Sequence, residues 1–170
     1  AAKTGGHIFP ALSFSKEALK NNNRITFIGT NTELEKKIFL QNENIKFIKF
    51  DLDGFRGKGI SQKLAFLIRL PLIFVQVISI IVSKNISSVF CFGGFITIPV
   101  GFAGIVTFRN LYLHEQNAIV GSSNKLLSIF AKKVFTAFPI SDDKKYFFSG
   151  NPINFQKKRG IKICKNDDLN

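Results

Sequence analysis

The 170-residue sequence predicts an α/β fold built on a doubly wound parallel sheet, and two observations carry that prediction. Short apolar runs rich in β-branched and aromatic residues alternate with longer segments of helical period, the rhythm of βαβ units. Two polar clusters, Lys3-Thr4-Gly5-Gly6-His7 and His114-Glu115-Gln116-Asn117, stand where a helix opens and where an apolar run ends. Both positions belong to the carboxyl edge of a sheet, where open α/β folds bind ligands.

Taken in order, the glycine pair opens a helical pattern, and residues 11–20 read as a helix on Phe14, Ala18 and Leu19, stopped by Asn21-Asn22-Asn23. A strand is expected at 25–28, a helix at 32–41 and a second strand at 45–50. Residues 53–59 read as a loop on glycine content, and 60–83 as a long helix that Pro71 should kink. A buried strand at 88–92 ends in Gly93-Gly94, followed by a helix at 97–107 and a strand at 111–113. A helix at 124–131, a strand at 134–137 and a short strand at 146–148 precede Gly150-Asn151-Pro152. There is no internal repeat. One domain is expected over 1–155, with a lysine-rich tail at 156–170 read as disordered.

At 45% hydrophobic, the chain has enough apolar surface for a sizeable core. Cys91 and Cys164 are far apart without metal-ligand spacing, and Cys91 lies inside an apolar run. Cys91 therefore reads as a core residue, with neither a disulfide framework nor a metal expected. The chain opens without the charged and apolar regions of a signal peptide, so a cytoplasmic location is the expectation. The formal net charge of +13 calls for a polyanionic partner, nucleic acid or an anionic bilayer, or else reflects base-composition bias. Twenty Phe with no Trp and no Met look like base-composition bias as much as selection, so the charge carries modest weight, and no ribonucleoprotein strand or finger spacing supports nucleic acid.

The apolar stretch 64–82 approaches the ~20 residues of a membrane span. It also carries Arg69, Pro71, Gln76 and Ser79, and an arginine in mid-span costs about 2.5–3.5 kcal/mol, so a span is rejected. Two readings stay open. One is an interfacial helix that sets Leu64, Phe66, Leu67, Leu70 and Phe74 among anionic headgroups, beside Arg56, Lys58, Lys63 and Arg69. The other is an ordinary core helix with a basic edge.

Five motifs occur in order: the opening through Ala11, Gly54-Phe55-Arg56-Gly57-Lys58-Gly59, Gly93-Gly94-Phe95, His114-Glu115-Gln116-Asn117 and Gly150-Asn151-Pro152. Together they closely resemble the MurG family of peptidoglycan N-acetylglucosaminyltransferases over residues 1–152; any one alone would be weak. The resemblance implies a GT-B glycosyltransferase, with two Rossmann-like halves facing across a cleft, this chain matching the amino-terminal, acceptor-binding half. The family's glycine turn follows a strand that would lie mid-sheet. That first strand is expected to be missing here, leaving neighbours with unpaired backbone groups at about 1–3 kcal/mol each where buried.

The implied activity is inverting transfer of N-acetylglucosamine from UDP-N-acetylglucosamine to undecaprenyl-pyrophosphoryl-N-acetylmuramyl-pentapeptide. It implies no cofactor or metal, and a peripheral position on the cytoplasmic face of the bacterial inner membrane, against an anionic surface. The alternatives are a separate membrane-associated acceptor-binding subunit of a split N-acetylglucosaminyltransferase, an inactive remnant, or a non-enzymatic basic module binding nucleic acid.

Thr4, Gly5 and Gly6 are expected to bind phosphate, because glycine admits a close backbone approach and the following helix offers free N–H groups; the alternative is a structural tight turn. Inverting transfer needs a base for the acceptor hydroxyl, and the candidates are His7 and Glu115, with His7 favoured because its ordinary pKa suits neutral pH. His7 can instead cap its helix or bind phosphate, and His114 and Glu115 can instead hold their loop together. By resemblance Asn117 contacts the donor sugar, Gln116 buttresses the loop, and Gly94 and Phe95 line the acceptor cleft. By the same resemblance one departure should weaken donor binding: Ile153 is followed by Asn154 where the family usually has an arginine, with Lys157 or Lys158 as imperfect substitutes.

Overall fold

A computed structural model describes residues 5–51 and 59–152, with the backbone alone over 60–67. The chain runs α1 (Gly5–Lys20), β1 (Thr26–Gly29), α2 (Glu33–Leu40), β2 (Lys46–Lys49), α3 (Ile60–Ser83), β3 (Ser88–Cys91), α4 (Thr97–Val106), β4 (Asn110–Glu115), α5 (Ser122–Ser128), β5 (Lys133–Thr136) and β6 (Tyr146–Phe148). Among the described residues every strand pairing is parallel, as expected from the βαβ rhythm.

One helix starts well before the sequence reading places it. α1 starts at Gly5 rather than at residue 11, taking in Gly6, His7 and Pro10. Gly5 to His7 occupy the first turn, where amide groups lack intrahelical partners anyway, so poor helix formers cost little there. α3 covers the residues expected of it, 60–83, with Pro71 inside it. The loop at 53–59 falls almost wholly outside the described residues, as does the tail at 156–170.

Local chemistry explains α2. Thr32 caps it, and Glu35 three residues on completes a capping box. The Glu35 carboxylate is fully buried and accepts hydrogen bonds from the Thr30 and Thr32 amides and from both hydroxyls. Four donors offset the burial of one charge. Gly29 is needed beside it, since a Cβ there would stand 2.6 Å from Glu35 Oε1.

The strands form two sheets, β1-β2 and β3-β4-β5-β6, instead of one continuous sheet. Each has its own core. Ile8, Leu12, Phe27, Ile38 and Phe39 pack α1 and α2 on the small sheet, while Ile73, Val77, Ile81, Leu111, Leu113 and Val134 pack α3 on the large one. Between β1 and β3 lies a cavity of about 1000 Å³, walled also by α1 and α3 and lined by Phe14, Phe27, Val77, Ile81, Phe90 and Phe92. The sheet is thus divided where the resemblance locates its mid-sheet strand. Chain progression also reverses across this point, leftward through β1 and β2 and rightward from β3 to β6, which makes it the topological switch point of the fold.

Candidate functional site

The residues of the site come from the tips of β3 and β4, the first turn of α1 and the turn after β6. β3 ends at Cys91, after which Gly93 and Gly94 both take positive φ, +86° and +87°. Those angles let the chain turn sharply into α4, with Thr97 Oγ1 donating to the Gly93 carbonyl at 2.7 Å. The bare Gly93 surface also receives the His7 imidazole. A Cβ at Gly93 would stand 3.0 Å from His7 Cε1 and 3.1 Å from Nδ1.

Replacing Gly93 by Ala is therefore expected to lower stability by about 1–3 kcal/mol, from left-handed strain and displacement of the ring. Thermal unfolding checks this, and an unchanged midpoint would count against the packing described.

His7 projects from the first turn of α1 toward β4 and meets the Gln116 side chain at Nδ1. The imidazole also hydrogen-bonds the Phe92 carbonyl. Its pKa lies below the ordinary imidazole value, chiefly because burial penalises the charged ring; the hydrogen bonds to Gln116 and Phe92 oppose that shift. His114, one residue before the end of β4, is buried against Phe92, with ring centroids 5.5 Å apart, and its Nε2 lies 3.3 Å from the Gly150 carbonyl. Burial lowers its pKa too. Gly150 itself has φ +72°, so the turn after β6 is folded back onto β4 by a glycine.

Glu115 is 1% exposed and its carboxylate is saturated. Oε1 accepts from the Asn117 amide at 3.0 Å and from Asn117 Nδ2 at 2.9 Å; Oε2 accepts from the Gly121 amide and from Asn124 Nδ2, both at 2.9 Å. A carboxylate so committed holds its loop and has no free lone pair directed at a substrate hydroxyl. Glu115 thereby makes the loop-bracing contacts expected of Gln116. Gln116 instead reaches across to His7.

The site thus unites His7, Gly93, His114, Gln116 and Gly150, distant in sequence, at one edge of the sheet. Gly6 stands open beside it, with nothing within 4 Å of an added Cβ, and Asn117 is exposed at the loop. Phe95 is half-buried and packs on the main core. Thr4, Asn154, Lys157 and Lys158 lie outside the described residues. The Gln116–His7 contact was not foreseeable from periodicity, since an amide and an imidazole 109 positions apart carry no pattern.

Among the residues proposed for a membrane surface, Arg56 and Lys58 fall outside the described residues, as do the side chains of Lys63, Phe66 and Leu67. Arg69 is exposed and donates from Nη1 to the Asp51 carbonyl at 3.1 Å. Leu70 and Phe74 pack half-buried on the main core and do not form part of an outer face. The outer apolar stripe is Ile68, Leu72 and Val75 at helical spacing, each about 60% exposed. Among the described residues no helix is long and apolar enough to cross a membrane, and no cluster of potential ligands could hold a metal ion.

Residues 4–136 match the glycosyltransferase family 28 N-terminal domain. The chain belongs to glycosyltransferase family 28. A curated relative in Psychrobacter cryohalolentis, a UDP-N-acetylglucosamine–N-acetylmuramyl-(pentapeptide) pyrophosphoryl-undecaprenol N-acetylglucosamine transferase, is 39% identical over 90% of this chain and 44% of its own length. A relative of the same name in Sulfurihydrogenibium is 38% identical over 96% of this chain and 47% of its own length. The chain thus spans less than half the length of these relatives.

The crystal structure of Acinetobacter baumannii MurG superimposes with a TM-score of 0.76 at 30% identity, covering 87% of this chain and 43% of that one. The fold is accordingly that of the amino-terminal, Rossmann-like half of a GT-B enzyme, and the family 28 domain carries His7, Gly93 and Gln116 within its matched span.

Proposed function

We propose that this family 28 domain is the acceptor-binding half of an enzyme that moves N-acetylglucosamine from UDP-N-acetylglucosamine to undecaprenyl-pyrophosphoryl-N-acetylmuramyl-pentapeptide, with inversion. The observation that carries the reading is the pairing of close relatives so named with an imidazole held by Gly93 and Gln116 at the switch point of the sheet.

In the proposed step the acceptor hydroxyl attacks the anomeric carbon from the face opposite UDP. The bond to UDP breaks with its electron pair, and His7 takes the hydroxyl proton. A lowered pKa suits this role, since the imidazole is neutral and able to accept a proton at pH 7. The first-turn amides of α1, with Gly6 unobstructed, favour a pyrophosphate group close by. Glu115 fixes the loop that presents Asn117 to the donor side of the cleft. The exposed stripe Ile68, Leu72 and Val75 beside Arg69 fits the interfacial reading of α3, with the anionic cytoplasmic face of the membrane as its surface.

The test is an assay of the full-length protein with labelled UDP-N-acetylglucosamine and the lipid-linked acceptor. The expected product carries one added N-acetylglucosamine in the inverted linkage. Absence of transfer, or a retained configuration, would overturn the proposal.

A further inference from the structure

The site holds an amide between two imidazoles, and its buried orphan atoms determine which way that amide faces. Gln116 is 8% exposed and its side chain contacts both His7 and His114. With Nε2 turned to His7 Nδ1, two buried polar atoms are left without partners, Gln116 Oε1 and His114 Nδ1. Buried polar groups are rarely left so, and the oxygen and nitrogen of an amide exchange places by a half-turn that moves no other atom.

The choice is settled from the far end of the chain of contacts. The Gly150 carbonyl can only accept, so the His114 Nε2 that faces it at 3.3 Å carries the proton. In the neutral ring Nδ1 is then an acceptor and requires a donor. Gln116 Nε2 is the donor at hand, which turns Oε1 toward His7. An amide oxygen also only accepts, so His7 Nδ1 carries a proton and Nε2 keeps its lone pair. Burial holds both imidazoles below their ordinary pKa, so both are neutral at pH 7.

We propose that Gln116 is the positioning residue of the site: through the run Gly150, His114, Gln116, His7 it holds His7 in the Nδ1–H tautomer, leaving Nε2 as the nitrogen that receives a proton. The inference rests on the functional reading for its purpose, and on contacts alone for the tautomer. It makes the turn after β6 part of the site, because the Gly150 carbonyl starts the run. An isolated imidazole in water favours the Nε2–H form, which would offer the wrong nitrogen.

The experiment is nitrogen-15 NMR of histidine-labelled protein at pH 7.5, which reads the tautomer of each ring without turnover. The expected result is Nδ1–H at His7 and Nε2–H at His114. Gln116→Leu should shift His7 toward Nε2–H, whereas Gln116→Glu, which keeps an acceptor on Nδ1, should retain the native tautomer. In the full-length enzyme the Leu variant should lose at least tenfold in kcat with KM little changed.

Nε2–H at His7 in the unaltered protein overturns the proposal whatever the variants do. So does a native tautomer in a folded Gln116→Leu protein. Failure of the full-length protein to transfer sugar, with the expected tautomers present, would instead overturn the functional reading alone.

Discussion

Replacing His7 by Ala in the full-length protein is expected to lower kcat by about 10²–10⁴, the range that a positioned general base contributes. The change removes the only imidazole of the site whose Nε2 is unclaimed in the proton arrangement set by Gln116, and Glu115 cannot substitute because its oxygens are occupied by Asn117, Gly121 and Asn124. KM for the acceptor should change much less, since a proton acceptor acts mainly in the transition state. The pH profile should report the same group. A base works only when neutral, and burial lowers the pKa of His7, so kcat/KM should hold steady through neutral pH and fall on the acid side at a pH below the ordinary imidazole value. Steady-state kinetics across pH checks both statements. A variant with native kcat, or an unaltered acid limb in His7→Ala, would remove the role.

Replacing Glu115 by Leu is expected to destabilise the chain by about 2–4 kcal/mol, with loss of ligand binding at the loop. The carboxylate accepts four hydrogen bonds, but their loss is unequal. Asn117 and Gly121 are exposed, and water can take over their donors. Asn124 is 1% exposed, so its amide would keep only the His114 carbonyl at 3.1 Å. Thermal or denaturant unfolding measures the effect. Glu115→Gln, which preserves shape and half the acceptors, should cost less. Equal stability of all three proteins would contradict the bracing role.

Much of this was legible in the sequence because it rests on local rules. Alternating apolar runs located the strands, with β1, β3 and β6 found at nearly their observed bounds, and the glycine pair after β3 announced a turn that only glycine makes easily. The clusters at His7 and at 114–117 were recognisable as strand-end chemistry, and they do meet. What sequence reasoning missed depends on three-dimensional pairing. Glu115 and Gln116 are adjacent, and successive residues at a strand end point to opposite sides, so one braces the loop while the other crosses to α1. Nothing in their types says which. The start of α1 escapes the sequence reading because Gly5, Gly6 and Pro10 are weak helix formers; the two glycines lie in the first turn, which tolerates what an interior does not. Composition alone places Leu70 at a surface, whereas the rotation of α3 turns it inward and leaves Ile68, Leu72 and Val75 outside.

The most direct test of the central claim, that the strand tips around His7 form the acceptor site, is to follow the His7 imidazole resonances while a short-chain polyprenyl-pyrophosphoryl N-acetylmuramyl-pentapeptide is added. The account predicts a saturable shift at His7 that is lost in the Gly93→Ala protein. Saturable binding that leaves the His7 resonances unmoved would contradict it.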